Sequence, residues 1–154
     1  MIDQPHLAQS TEQLAAVIHL TIPREKIGEE MGPAFQELMA TLGSQGIAPA
    51  GPAYSYHFAM HPETFDFEVG IPVAAKVEPA GRVKPGRLPA TKVARATYRG
   101  PYEELAGAWG ELMGWIETNG HKAGTNLWER YVAGPESGAD PAHWQTELNR
   151  TLVS

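Results

Sequence analysis

The stretch MGPAFQELMATLGSQG (31–46) lies over LAGAWGELMGWIETNG (105–120) without a gap. Ala34 falls on Ala108, Phe35 on Trp109, Glu37-Leu38-Met39 on Glu111-Leu112-Met113, and Gly46 on Gly120. The same register carries on to Tyr54 over Trp128, Ser55 over Glu129 and Phe58 over Val132. Farther along, FEVGIPV (67–73) resembles TELNRTL (146–152) once a few extra turn residues are allowed. Solenoid units run to roughly 20–50 residues, so a period this long is no solenoid. It describes a duplicated module, and a fold built from two copies of one unit.

Each copy reads in the same order. A strand comes first, AAVIHLTI (15–22) and then TKVARATY (91–98). A helix follows. In the second copy Tyr102, Leu105, Trp109, Leu112, Met113 and Ile116 fall on one face at helical spacing. Gly100-Pro101 suits its start, Glu103 and Glu104 suit its N-terminal dipole, and Asn119-Gly120 supplies the stop. In the first copy Ile27, Met31, Phe35, Leu38, Met39 and Leu42 repeat the pattern. Pro33 falls inside it, so this helix either begins near Pro33 or is kinked there. Two strands close each copy: PAYSYHFAM with TFDFEVGIPV, and TNLWERYVA with AHWQTELNRTLV. His61-Pro62-Glu63 and Gly134-Pro135-Glu136 supply the turns between them. The expected fold is α+β: tandem β-α-β-β modules with a mostly antiparallel sheet and two long helices. Residues 1–13 read as an N-terminal tail and 14–154 as one domain, made of repeat one (14–73), a Pro/Gly-rich connector (74–90) and repeat two (91–153).

Composition narrows the function classes. The chain has 154 residues, 42% of them hydrophobic and 19% charged, which suits a single domain with a real core. A formal net charge of −6 argues against a direct nucleic-acid partner, which needs concentrated Lys and Arg. Lys76, Arg82, Lys84 and Arg87 in the connector read as a solvated linker. The absence of cysteine excludes disulfides and thiolate chemistry. The N-terminus MIDQPHLAQS has no apolar h-region, and no apolar stretch approaches the roughly 20 residues of a membrane span. A cytoplasmic protein without membrane contact is expected. No GxSxG, Walker or dinucleotide fingerprint is present, and no cofactor is expected. His57 and His61 have an HxxxH spacing with Glu63 and Asp66 nearby, but on a strand running into a turn they read as ordinary histidines, and no metal is expected.

Two glutamates stand out in strands, where carboxylates are disfavoured: Glu129 in LWERYVA and Glu147 in HWQTEL. Alternation groups Glu129 with Leu127 and Tyr131, and Trp128 with Arg130 and Val132. It groups Tyr54, Tyr56 and Phe58 on one side of their strand and Ser55 and His57 on the other. Trp144, Leu148 and Leu152 share a side, opposite Glu147. If the apolar sides meet the helices, then Ser55, His57, Glu68, Glu129, Tyr131 and Glu147 share the opposite side. An antiparallel sheet commonly leaves such a face solvated.

The repeat, the two ELM helices, the WERY strand and the terminal WQTEL together resemble the GyrI-like small-molecule-binding domain, from about residue 14 to 153. That family includes gyrase-inhibitor-like proteins and effector domains of AraC- and MerR-type multidrug regulators. The resemblance implies two β-α-β-β units about a pseudo-twofold axis, binding bulky, often cationic, aromatic compounds in a cleft between them. It also implies an acidic residue on the E-x-Y strand, a pattern that Glu129-Arg130-Tyr131 fits, and a second glutamate that Glu147 fits. The ligand-binding set on this reading is Glu129, Tyr131, Glu147, Trp128, Tyr56, His57 and Trp144, with Tyr131 the best aromatic contact. Tyr54 is a further candidate wall, and Trp109 and Trp115 read as helix-packing residues. No helix-turn-helix fits before residue 14, so a stand-alone effector-binding domain is expected, sensing or sequestering its ligand. Two other readings follow from the same family. A hydrolase of cyclopropane-containing natural products would use Glu129, Glu147 and Tyr131 as its acid–base group. A gyrase-inhibitor-like interaction module would act through a protein partner, gyrase or a separate regulator.

Overall fold

A computed structural model describes the chain except for residues 1, 61–62, 102–103, 134–139, 141–142 and 154. The turn residues His61-Pro62 and Gly134-Pro135-Glu136, and the helix-flanking Tyr102 and Glu103, lie outside the described residues. Among the described residues the fold is α+β, with eight strands in antiparallel pairs and two long helices. Chain contacts divide it into two compact units, Thr11–Ala90 and Met1–Ser10 with Thr91–Ser154.

The unit of Thr11–Ala90 holds β2 (Gln13–Pro23), α1 (Ile27–Gln45), β3 (Tyr54–Met60), β4 (Thr64–Pro72) and β5 (Lys84–Leu88), with strands in the order β3-β4-β2-β5. The other unit holds β1 (His6–Gln9), β6 (Lys92–Arg99), α2 (Leu105–Thr118), β7 (Lys122–Ala133) and β8 (Gln145–Val153), in the order β1-β6-β8-β7. Each unit therefore has the expected strand, helix and two strands, plus one more strand. That fourth strand comes from a segment read as tail or as connector. β1 pairs with β6, His6 opposite Arg95, and β5 pairs with β2, Gln13 opposite Leu88. Both added strands are short and at an edge, which is where Pro85 is tolerated inside β5.

α1 begins at Ile27, ahead of Pro33, and continues past it. The proline falls in the first half of the helix and is exposed. The helix ends at Gly46, whose φ of +68° is the left-handed conformation that glycine adopts without a Cβ penalty, and the Ile47 N–H returns to the Leu42 carbonyl at 2.9 Å. α2 ends in the same way at Gly120, with the His121 N–H on the Ile116 carbonyl at 3.0 Å.

In each unit one helix covers one side of its strands. Ala34, Leu38 and Leu42 of α1 pack on Ala16, Ile18, Leu20, Phe67, Val69 and Ile71. Ala108, Leu112 and Ile116 of α2 pack on Ala94, Ala96, Tyr98 and Leu148. The side facing away from α1 is also tight. There Tyr54 is buried across from Gly70 on β4, and a Cβ at position 70 would fall 2.5 Å from the Tyr54 ring. Burial, and then the nearby Glu68 carboxylate, push the Tyr54 phenol well above its usual ionisation. Gly70→Ala is expected to cost about 1–3 kcal/mol, the usual range for overpacking. Urea denaturation checks this, and an unchanged midpoint would mean that Tyr54 can move aside.

Candidate functional site

β7 carries the WERY stretch, and its register on β8 fixes which side each residue takes. Leu127 stands opposite Arg150, Glu129 opposite Leu148, and Tyr131 opposite Thr146. Leu148 belongs to the core under α2, so Glu129 and Tyr131 point toward that helix. Trp128 and Arg130 stand opposite Asn149 and Glu147, on the other side. This corrects the assignment of sides made from apolar content. Trp128 does lie opposite Glu129, but it is Glu129 that faces the helix. β3 is reversed likewise: Ser55 and His57 stand opposite Val69 and Phe67 on the α1 side, while Tyr54 and Tyr56 face away. Alternation fixes which residues share a side, but the choice of side needs a difference in burial. Here the difference is missing, since Leu127 at 4% exposure and Trp128 at 1% are both buried.

On the α2 side a carboxylate is set among aromatic donors. The Trp109 Nε1–H of α2 donates to Glu129 Oε2 at 2.5 Å, and the Tyr131 hydroxyl donates to Oε1 at 2.9 Å. No Lys, Arg or His pairs with Glu129 among the described residues. Burial raises the Glu129 carboxyl above the usual carboxylate range, and the hydrogen bonds from Trp109 and Tyr131 oppose that rise. Across from Tyr131, the Thr146 hydroxyl is buried with no hydrogen-bond partner among the described residues. The result is a half-buried carboxyl group held by neutral donors and walled by an indole and a phenol.

Trp109 is the site residue that helical periodicity alone assigns to packing. The signal that could have found it is its own N–H, since a buried indole needs an acceptor. On a helix face packed against strands, the nearest sequence candidate is the carboxylate of the E-x-Y strand.

Glu147 belongs elsewhere. It lies on the side away from α2, where Arg130 Nη1 donates to both of its oxygens, at 3.1 and 3.2 Å. Glu129 and Glu147 therefore do not form the paired acid–base group expected of a hydrolase, because the β7–β8 register puts them on opposite sides of the strands. Trp128 is buried on the Glu147 side. Trp144 precedes β8 and is half-buried, and its carbonyl accepts the Gly100 N–H at 2.9 Å. In the Thr11–Ala90 unit, His57 Nε2 lies 3.1 Å from the Ser55 hydroxyl, and its ring stacks on Phe67 at 4.9 Å. Tyr56 packs edge-on against Phe58 on the opposite side, beside Glu68. His57 is thus separated from Tyr56 by the strand itself. His61, its HxxxH partner, lies outside the described residues.

Residues 3–148 match the profile of the GyrI-like small molecule binding domain. The chain belongs to this family of small-molecule-binding domains. Among curated proteins none matches it in sequence. Solved structures share the fold. The EcmrR C-terminal domain is 22% identical, with a TM-score of 0.86 and 98% of each chain covered. In the EcmrR–DNA complex the match, with a TM-score of 0.84 at 22% identity, covers 97% of this chain and 57% of that one, so this chain spans little more than half of that chain's length. SAV2435 bound to tetraphenylphosphonium is 12% identical, with a TM-score of 0.71 over 99% of this chain and 95% of that one. A hydrolase from Listeria innocua is 16% identical, with a TM-score of 0.70 over 97% and 92%. No helix among the described residues is long and apolar enough to cross a membrane.

Proposed function

We propose that this domain binds bulky hydrophobic aromatic cations through Glu129, Tyr131 and Trp109, and that it serves to sense or sequester them. The observation that carries this reading is the Glu129 carboxylate, half-buried and without an ion-pair partner among the described residues. A carboxylate in such a place is costly, and a cation removes the cost by supplying the missing charge. The Trp109 and Tyr131 rings beside it add cation–π attraction of about 0.5–2 kcal/mol per contact. The small-molecule-binding family supports this reading, as does the tetraphenylphosphonium bound by a protein of the same fold.

The test is a fluorescence titration with rhodamine 6G against a neutral aromatic of similar size, with mass spectrometry of the dye afterwards. Saturable binding of the cation alone, with the dye intact, is the expected result. Equal affinity for both compounds, or none for either, would sink the proposal, and a changed dye mass would replace binding with turnover.

A further expectation concerns pH. The carboxylate attracts a cation only when ionised, so binding of a permanent cation rises with pH through the raised Glu129 value. The Trp109 hydrogen bond favours the ionised form. Trp109→Phe keeps a ring but removes the donor, and it is expected to move that rise to higher pH. Titrations between about pH 5 and pH 9 read the shift directly. An unmoved profile would mean that the indole N–H does not act on the carboxylate.

A further inference from the structure

The side of the β6–β8–β7 strands that faces away from α2 carries the opposite charge chemistry. Glu147 and Asn149 project there from the central strand β8, with Arg95 of β6 on one flank and Arg130 of β7 on the other. Arg130 Nη1 donates to Glu147 Oε1 and Oε2 at 3.1 and 3.2 Å. The Arg95 Nε–H donates to Asn149 Oδ1 at 2.7 Å and lies 3.4 Å from Glu147 Oε1. The Asn149 amide donates to the same Glu147 oxygen at 3.1 Å. Asn149 is fully buried and Glu147 is 16% exposed.

The cluster does not balance. Two guanidinium groups share one carboxylate, in a chain whose overall charge is −6. Glu147 Oε1 faces three donors, and Oε2 accepts from Arg130 Nη1 alone. The Arg130 Nε–H is buried with no acceptor among the described residues. An unsatisfied charged donor of this kind is unfavourable. Both arginines still reach solvent, with side chains 26% and 27% exposed. Strand pairing and Glu147 hold their planes in place, which suits guanidinium forks to two-point recognition of an oxyanion.

We propose that Arg95 and Arg130, held by Glu147 and Asn149, form a binding site for a small oxyanion, a carboxylate or phosphate group. It is separate from Glu129, on the other side of the same strands. Glu147 is then a positioning residue whose negative charge keeps two guanidinium groups together without neutralising both.

The site is tested by following the arginine side-chain Nε–Hε resonances of the 15N-labelled protein during titration with sodium phosphate, sodium acetate and sodium chloride at matched ionic strength. The Arg95 and Arg130 signals are expected to shift saturably with phosphate or acetate and not with chloride. Saturation by phosphate alone identifies a phosphate group as the ligand chemistry, and saturation by acetate as well identifies a carboxylate. Shifts that follow ionic strength alike for all three salts would overturn the proposal. Arg95→Lys keeps the charge, loses the fork, and is expected to weaken oxyanion binding about tenfold. Unchanged affinity in that variant would also overturn it. Because Arg130 supports Glu147 and its loss risks the fold, Arg130→Lys is the companion variant, with the same expected loss.

Discussion

On the proposed function, Glu129→Gln is expected to weaken binding of an aromatic cation such as tetraphenylphosphonium and to gain stability at the same time. Both effects come from one half-buried carboxyl group. The glutamine amide matches the shape of the carboxylate: its oxygen can accept the Trp109 N–H and its NH2 can donate to the Tyr131 oxygen. What it removes is the attraction for a cation. A loss of about 10–100-fold is expected, equivalent to about 1.4–2.8 kcal/mol, while a neutral comparator such as triphenylphosphine oxide should hardly change. Stability moves the other way because burial raises the Glu129 carboxyl in the folded state. Between the ordinary carboxylate value and that raised one, the folded protein binds more protons than the unfolded chain. Its stability therefore falls as pH rises through this window, and the full burden of the buried charge is present above it. The glutamine variant lacks this slope and is expected to be about 0.5–2 kcal/mol more stable at neutral pH, a common gain when a functional site is relaxed. Calorimetric titration and urea unfolding across the pH range read the two halves. A variant that binds both compounds less and is less stable at every pH would make Glu129 a structural residue.

Leu112→Ala and Leu38→Ala should each cost about 2–5 kcal/mol. The two leucines occupy the same place in the sequence alignment, and each is fully buried between its helix and the strands beneath it. Leu38 packs with Ile18, Phe67 and Val69, and Leu112 with Ala96, Tyr98 and Leu148. Truncation removes the transfer energy of the lost carbons and leaves a cavity that a helix on a rigid sheet fills poorly. Chemical denaturation measures both. If Leu112→Ala proved nearly neutral, α2 would have to shift to close the gap, and the Trp109–Glu129 distance of 2.5 Å would not survive.

The helices and the six longer strands were legible because their signal is periodic and occurs twice. Leu38 and Leu112, or Gly46 and Gly120, support each other in a way that a single pattern cannot. β1 and β5 were not legible. His6–Gln9 is a four-residue stretch, and KPGRL contains both a proline and a glycine. Nothing in either favours a strand until a neighbouring strand offers its free edge. The candidate site was half legible. The E-x-Y spacing grouped Glu129 with Tyr131 correctly, because alternation is a property of the backbone. The partner on the other element, Trp109, looked like packing. The side that these residues face was hidden because the strands bury side chains on both sides, Leu148 on one and Asn149 on the other. A third obstacle was the irregular register of β7, which shifts between Ala123 and Leu127 and again between Tyr131 and Ala133.

The pairing of β1 with β6 has a consequence for how the chain assembles. The unit of Thr11–Ala90 is one uninterrupted segment, so every contact it needs is available once residue 90 has been made. The other unit draws on both ends of the sequence, and its first strand must wait for partners that come from far downstream. Closing so long a loop is slow. His6–Gln9, although made before Thr11–Ala90, is thus among the last parts of its unit to be locked in, and it stays unpaired until β6 has been made.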